Sequence, residues 1–182
     1  ASLPPTVEVI KQEDYDKAVL MADAVRSHPQ AKFLFNADSY QAEQDIYWEQ
    51  DGVACKAKPD IIAELNGHRF LGDLKTTESV NPNEIQRSIA KWGYYRQAAW
   101  YLNGMEAIGK PCEAFIFIFV EKSSPYLVTM CQLDAEALAR GMQECVKAID
   151  TLKKCRETGI YPCYTRDILT LSLPQWAYKE SA

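Results

Sequence analysis

The sequence predicts an α/β fold in which a mixed central sheet is flanked by helices on both sides. Three observations predict it. Residues 114–120 (AFIFIFV) form an uninterrupted apolar run, the pattern of a strand covered on both faces in the middle of a sheet. Asn66-Gly67, a dipeptide favoured at two-residue hairpin turns, separates two further strand-like runs within residues 52–77. Residues 82–107 and 134–158 each repeat apolar side chains at helical spacing. Strands that precede and interleave with helices bury their apolar faces as stacked layers.

Taken in order, the first helix spans about residues 12–28. Ala18, Met21, Ala22 and Val25 recur at helical spacing, and Asp14 is the expected cap. His28-Pro29 ends this helix, because proline disfavours helical geometry in the residue before it. A strand follows over residues 43–49. The long helix 82–107 has a strong start signal in Asn81 as cap, Pro82 at the first position and Glu84 three residues after the cap. Residues 127–133 (LVTMCQL) read as an antiparallel neighbour of the central strand. The last helix begins near Asp134 and ends before Gly159, with Leu138, Met142, Cys145, Ile149 and Leu152 on one apolar stripe. The tail over residues 170–176 (TLSLPQW) reads as an irregular segment packed back on the body. With no internal repeat and no low-complexity linker, residues 1–182 read as one domain.

Composition narrows the class. Hydrophobic residues make up 47% of the 182 residues and charged residues 25%, close to the globular average, which argues against disorder. No apolar run is long enough to cross a bilayer, and Ala1-Ser2-Leu3-Pro4-Pro5 does not resemble a signal peptide, so the expectation is a soluble cytoplasmic protein without a membrane partner. The missing initiator Met suggests that an upstream N-terminal segment is lacking. The six cysteines contain no C-x-x-C pair, which speaks against a zinc or iron–sulfur site and for reduced thiols. A net charge of -5 argues against a simple DNA-coating protein. It leaves room for a metal-using enzyme, whose ligands are themselves acidic, and residues 86–96 hold Arg87, Lys91 and Arg96 with no acid among them.

The chemistry is concentrated around the Asn66-Gly67 turn. If Leu65 faces His68, counting back along both strands puts Asp60 opposite Asp73 and Lys58 opposite Lys75, unless Pro59 introduces a bulge. Side-chain alternation puts Asp73 and Lys75 on one face. Two carboxylates meeting across strands repel unless a cation lies between them. Mg²⁺ fits such a place, since it takes one or two carboxylates and keeps water positions for phosphate substrates. Lys75 beside it could orient the attacking water and offset phosphoryl charge. Arg87, Lys91, Tyr94 and Gln97 follow three- and four-residue helical spacing, which reads as a ridge for phosphate contact with Tyr94 available to stack on a base. Trp92 and Trp100, with Ile85 and Ile89, read as packing residues.

Lys58-Pro59-Asp60, then Gly72-Asp73-Leu74-Lys75-Thr76-Thr77, then Tyr94-x-x-Gln97 with Ala98-Ala99-Trp100-Tyr101, resembles the PD-(D/E)XK nuclease superfamily with its restriction-endonuclease-like core. More narrowly the chain is similar to RecE-type exonucleases (exonuclease VIII), relatives of the RecB nuclease domain and lambda exonuclease. Residues 47–60 and 170–177 share the likeness, which covers residue 40 to the C-terminus. The resemblance implies Asp60, Asp73 and the Leu74 backbone carbonyl as metal ligands, with Glu43 as a weaker upstream acid. It implies Lys75 as the catalytic lysine and Gln97 as organiser of the site, with Arg87, Lys91, Tyr94 and Arg96 toward DNA. The cofactor implied is Mg²⁺, with Mn²⁺ able to substitute. The activity implied is 5′-to-3′ digestion of one strand of linear double-stranded DNA in recombination by strand annealing. The partners implied are duplex ends, a RecT-type annealing protein and further copies of the chain in a ring such as a tetramer, in a bacterial or prophage setting. The family often draws a histidine from an upstream helix, but the His28-Pro29 setting reads as structural, and His68 beside the turn reads as exposed. An endonuclease of the same superfamily, or a non-catalytic nucleic-acid-binding or assembly domain on this fold, is the alternative reading.

Overall fold

The computed structural model describes residues 9–178. The chain divides into two compact units, Ala1–Ile149 and Asp150–Ala182. In the first, the elements are α1 (Gln12–Ser27), α2 (Lys32–Phe35), β1 (Ser39–Ala42), β2 (Ile46–Gln50), β3 (Val53–Ala57), β4 (Ile61–Leu65), β5 (His68–Thr77), α3 (Pro82–Trp92), α4 (Tyr94–Ala107), β6 (Ala114–Glu121), β7 (Val128–Cys131) and most of α5 (Ala135–Thr158). The second holds the end of α5, an irregular stretch and a 3-10 turn, η1 (Gln175–Tyr178), and its apolar residues Ile168, Leu171 and Trp176 are exposed.

The main sheet has the order β1-β4-β5-β6-β7. Only β5 and β6 run parallel; β1–β4, β4–β5 and β6–β7 are antiparallel, so the sheet is mixed as expected. The parallel pair requires a crossover, and α3 and α4 supply it. The middle strand is β5, and its neighbour β6, the apolar run expected in mid-sheet, is an interior strand buried on both faces: Phe115, Phe117, Ile118, Phe119 and Val120 are at most 3% exposed. Alternation sends its residues to two different covers. Ile118 and Val120 join Val25 of α1, Leu34 of α2 and Ile61 and Ala63 of β4 in one core. Phe115 and Phe117 point the other way, against Tyr101 and Tyr94 of α4. The fold is therefore the predicted α/β sandwich.

Local departures have physical reasons. Helix α1 begins after Lys11 without a side-chain cap; Asp14 lies in its first turn, where its charge still suits the positive helix end. The strand expected at residues 43–49 starts later, at Ile46, because Glu43 takes a left-handed φ of 55° and turns the chain between β1 and β2. Strand β3 and the β2–β3 hairpin were not foreseen, although Asp51-Gly52, at φ of 51° and 77°, is as good a turn signal as Asn66-Gly67. The long helix is two helices. Gly93 has a φ of 71°, a left-handed conformation that closes α3 and redirects the chain into α4. Asn81 does cap α3, accepting the Asn83 N–H at 3.0 Å, and Asp134 caps α5 through the Ala137 N–H at 2.8 Å.

Candidate active site at the open end of a hairpin

The β4–β5 hairpin has the register read from its turn: Leu65 pairs with His68, and the ladder continues back to Ile61 opposite Gly72. There it stops. Pro59 has no N–H to contribute, and β4 begins only at Ile61, whereas β5 continues to Thr77 paired with β6 alone. The β5 edge that faced β4 is thus open from Asp73 onward. Asp60 occupies the opening: its Oδ2 accepts the Leu74 N–H at 2.8 Å, and its backbone carbonyl accepts the Glu43 N–H at 3.1 Å. In an extended strand the N–H and C=O of one residue leave on the same edge, so the Leu74 carbonyl is directed to the Asp60 side.

Asp73 is 1% exposed, the only buried charged residue among the described residues. Its Oδ1 accepts a hydrogen bond from the Gln97 amide, and the Lys75 ammonium lies against its Oδ2. That oxygen is buried without a hydrogen bond of proper geometry. Burial pushes the Asp73 carboxyl above its ordinary range; Lys75 opposes the rise most strongly, Asp60's charge adds to it, and Gln97 opposes it. Lys75 is steered from the other side by Tyr94, with its Nζ 4.8 Å from the ring centroid. Tyr94 itself packs on Phe117 and Phe119, at centroid distances of 6.0 and 6.3 Å.

These groups suit a hard divalent cation. Two carboxylates and a backbone carbonyl are oxygen donors of the kind Mg²⁺ accepts, and the buried Asp73 Oδ2, which meets the Lys75 ammonium without a hydrogen bond of proper geometry, has lone-pair capacity that such an ion would use. Among the described residues no group of three or more His, Cys, Asp or Glu side chains converges. A small cavity of about 230 Å³, lined by Asp60, Leu74, Glu43 and Ile118, lies on the Leu74 face of β5, and Asp73 does not line it. Glu43, however, spends its carboxylate on Lys58, 2.5 Å away. Lys58 is therefore engaged beside Asp60 and does not join the ladder opposite Lys75.

The basic residues are dispersed by the break at Gly93. Arg87 is paired with Glu84 at 2.5 Å, and Lys91 lies 4.9 Å from the Trp92 ring, both on α3. On α4, Arg96 turns toward Glu144 of α5 at 3.5 Å, while Tyr94 and Gln97 face the carboxylates. The four-residue ridge expected from one continuous helix is not formed. Ile85 and Ile89 are buried and Trp100 packs on Trp48 at 4.8 Å, but Trp92 is 62% exposed. The helical stripe would have grouped it with Ile85 and Ile89; as the last residue of α3 it lies beyond the turn that packs. His28 closes α1, its carbonyl accepting the Ala31 and Lys32 N–H groups, and His68 is exposed and paired with Glu113 at 2.9 Å. All six cysteines are free thiols.

No curated protein matches the sequence. Among solved structures, a candidate exonuclease from Eubacterium rectale superposes with a TM-score of 0.64 at 14% identity, covering 90% of this chain. The chain spans 64% of that protein's length. An alkaline exonuclease from Laribacter hongkongensis aligns over 85% of this chain and 79% of its own at 15% identity, with a TM-score of 0.34. The first of these likenesses extends to the fold. Residues 5–170 match the model of a family described as a PDDEXK-like domain of unknown function (DUF3799), and the chain belongs to that family.

Proposed function

We propose that the protein is a metal-dependent nuclease and, more narrowly, a RecE-type exonuclease that digests one strand of linear double-stranded DNA in the 5′-to-3′ direction. One observation carries the reading. Asp60 reaches across the open end of the hairpin to the Asp73–Leu74 segment, so that two carboxylates, a carbonyl edge and the Lys75 ammonium converge. Membership of a PDDEXK-like family supports it.

Asp60, Asp73 and the Leu74 carbonyl are the residues to hold Mg²⁺, or Mn²⁺ in its place. A divalent ion held there supplies Lewis-acid chemistry to the scissile phosphate. Lys75 orients the attacking water and offsets charge on the phosphoryl oxygens. Gln97 fixes the Asp73 carboxylate through Oδ1, and Tyr94 fixes Lys75. Glu43 enters the ligand set only if Lys58 releases it. Arg87, Lys91 and Arg96 contact phosphate only by leaving Glu84, the Trp92 ring and Glu144.

One nuclease domain over residues 1–182, a ring-shaped homo-oligomer, a RecT-type annealing partner, a role in strand-annealing recombination and a bacterial cytoplasmic setting belong to the same proposal. The test is digestion of end-labelled linear duplex and of covalently closed duplex, each with and without Mg²⁺. Release of label from linear DNA alone, only with the ion, is expected. Equal cutting of closed circles would make the protein an endonuclease, and no cutting of either would make it a binding domain.

A further inference from the structure

Beyond Lys75, β5 ends in Thr76 and Thr77, and the chain turns through Ser79 into α3. This turn walls a second cleft of about 300 Å³, lined by those three residues together with Ser88, Trp92 and Lys122. It joins the carboxylate site through Tyr94, which lines the cleft with its ring while holding Lys75.

The character of the cleft is unlike that of a packing defect. Four hydroxyl side chains line one small space; those of Thr77 and Ser79 brace the turn through Ser79 and Asn81 backbone groups, and Thr76 and Ser88 add hydroxyls of the kind that contact phosphate and sugar oxygens. The two acids at its rim are neutralised, Glu78 by Lys122 at 3.0 Å and Glu84 by Arg87 at 2.5 Å. Trp92 leaves 62% of its surface exposed at the cleft, an unusual cost for an indole with no packing role. Lys91 lies over its ring at 4.9 Å, and Lys122 lines the cleft itself. An exposed aromatic face, hydroxyls and flanking cations are the components with which single-stranded nucleic acid is gripped. The cleft's volume is on the order of one nucleotide.

We propose that this cleft seats one unpaired nucleotide of the strand being cut, with its base stacked on Trp92 and its sugar-phosphate against the Thr76–Ser79 turn. The inference rests on the nuclease reading for the meaning of the strand, but its test does not require cleavage. A short fluorescent single-stranded oligonucleotide is titrated into the full chain in chelator, so that binding is read without turnover. Trp92→Ala weakens binding about tenfold, whereas Trp92→Phe, which keeps a stacking face, stays within about twofold of the parent. A series of oligonucleotides carrying a single abasic position identifies one position at which parent and Trp92→Ala bind alike. Equal binding by parent and Trp92→Ala, or a deficit that no abasic position removes, would overturn the proposal, as would failure of the parent to bind. If binding follows the expected pattern and no DNA is cut with Mg²⁺ or Mn²⁺, the cleft stands and the nuclease reading falls.

Discussion

The two tight hairpins of this chain begin alike and end differently. Both close through a two-residue turn whose residues are left-handed: Asp51-Gly52 between β2 and β3, Asn66-Gly67 between β4 and β5. In β2–β3 every second residue is buried, Ile46 and Trp48 on one strand and Val53, Cys55 and Ala57 on the other, so one face is covered by α4 and the other is exposed. This hairpin forms a sheet of its own. In β4–β5, Ile61, Ile62 and Ala63 are buried in succession, as are Leu71, Gly72 and Asp73, and the hairpin lies inside the main sheet. The comparison teaches that turn chemistry sets only the register. The face pattern decides where a hairpin goes, and the length mismatch at its open end decides whether it can carry a site. In β4–β5 that mismatch, made by Pro59, exposes the edge to which Asp60 binds.

The largest effect that would separate the hairpins is on activity. Asp73→Ala and Lys75→Ala are each expected to abolish metal-dependent digestion, a loss of at least about a hundredfold, while circular dichroism shows a folded chain. Digestion at the parental rate in Asp73→Ala would defeat the assignment. The other hairpin should answer in stability. Trp48, 8% exposed, packs on Trp100, whose indole N–H donates to the Lys56 carbonyl at 3.3 Å. Trp48→Ala should cost about 3 kcal/mol in denaturant unfolding through the cavity it leaves. A cost under about 1 kcal/mol would mean that α4 does not depend on this hairpin.

The turns allow a sharper comparison. Gly52 and Gly67 have φ of 77° and 79°, and a methyl group added at either would meet no atom within 4 Å. Gly52→Ala and Gly67→Ala should therefore each cost about 1–2 kcal/mol by backbone strain alone, and by similar amounts. Markedly unequal unfolding midpoints would show that the two turns are not equivalent. The smallest effect concerns α4, which serves both hairpins: Trp100 packs on β2 while Gln97 reaches Asp73 of β5. It is tied to α5 by the Tyr95 hydroxyl, which donates to Glu144 at 2.7 Å. That bond holds the Glu144 carboxyl below its ordinary range, with burial opposing and Arg140 assisting. A depressed carboxyl contributes stability above its unfolded pKa and loses it as pH falls through the folded one. Stability should thus decline from neutral pH into the carboxylate range, and Glu144→Gln should flatten the decline. An unchanged slope in Glu144→Gln would remove this tie from the account.

Much of the fold was legible because it depends on short-range pattern. The apolar run of β6, the caps Asn81 and Asp134, and the Asn66-Gly67 register are all properties of a few neighbouring residues. The pairing of Asp73 with Lys75 followed from strand alternation. Other features were written locally yet overridden. Gly93 sits in an otherwise helical pattern, and its left-handed turn is favoured only because α4 must swing back over β6. Trp92 fell on the apolar stripe of α3 and is nonetheless exposed.

The sequence alone therefore determined which strand is buried on both faces, which turn closes the site hairpin, and that Asp73 and Lys75 share a strand face. These depend on the period of the side chains and on the φ that single residues tolerate. Tertiary structure alone decided that Asp60 caps the Leu74 amide, that Lys58 occupies Glu43, and that the basic ridge is divided between two helices. Each of these is a contact between segments whose approach is set by burial of the whole sheet, and no local pattern encodes that approach.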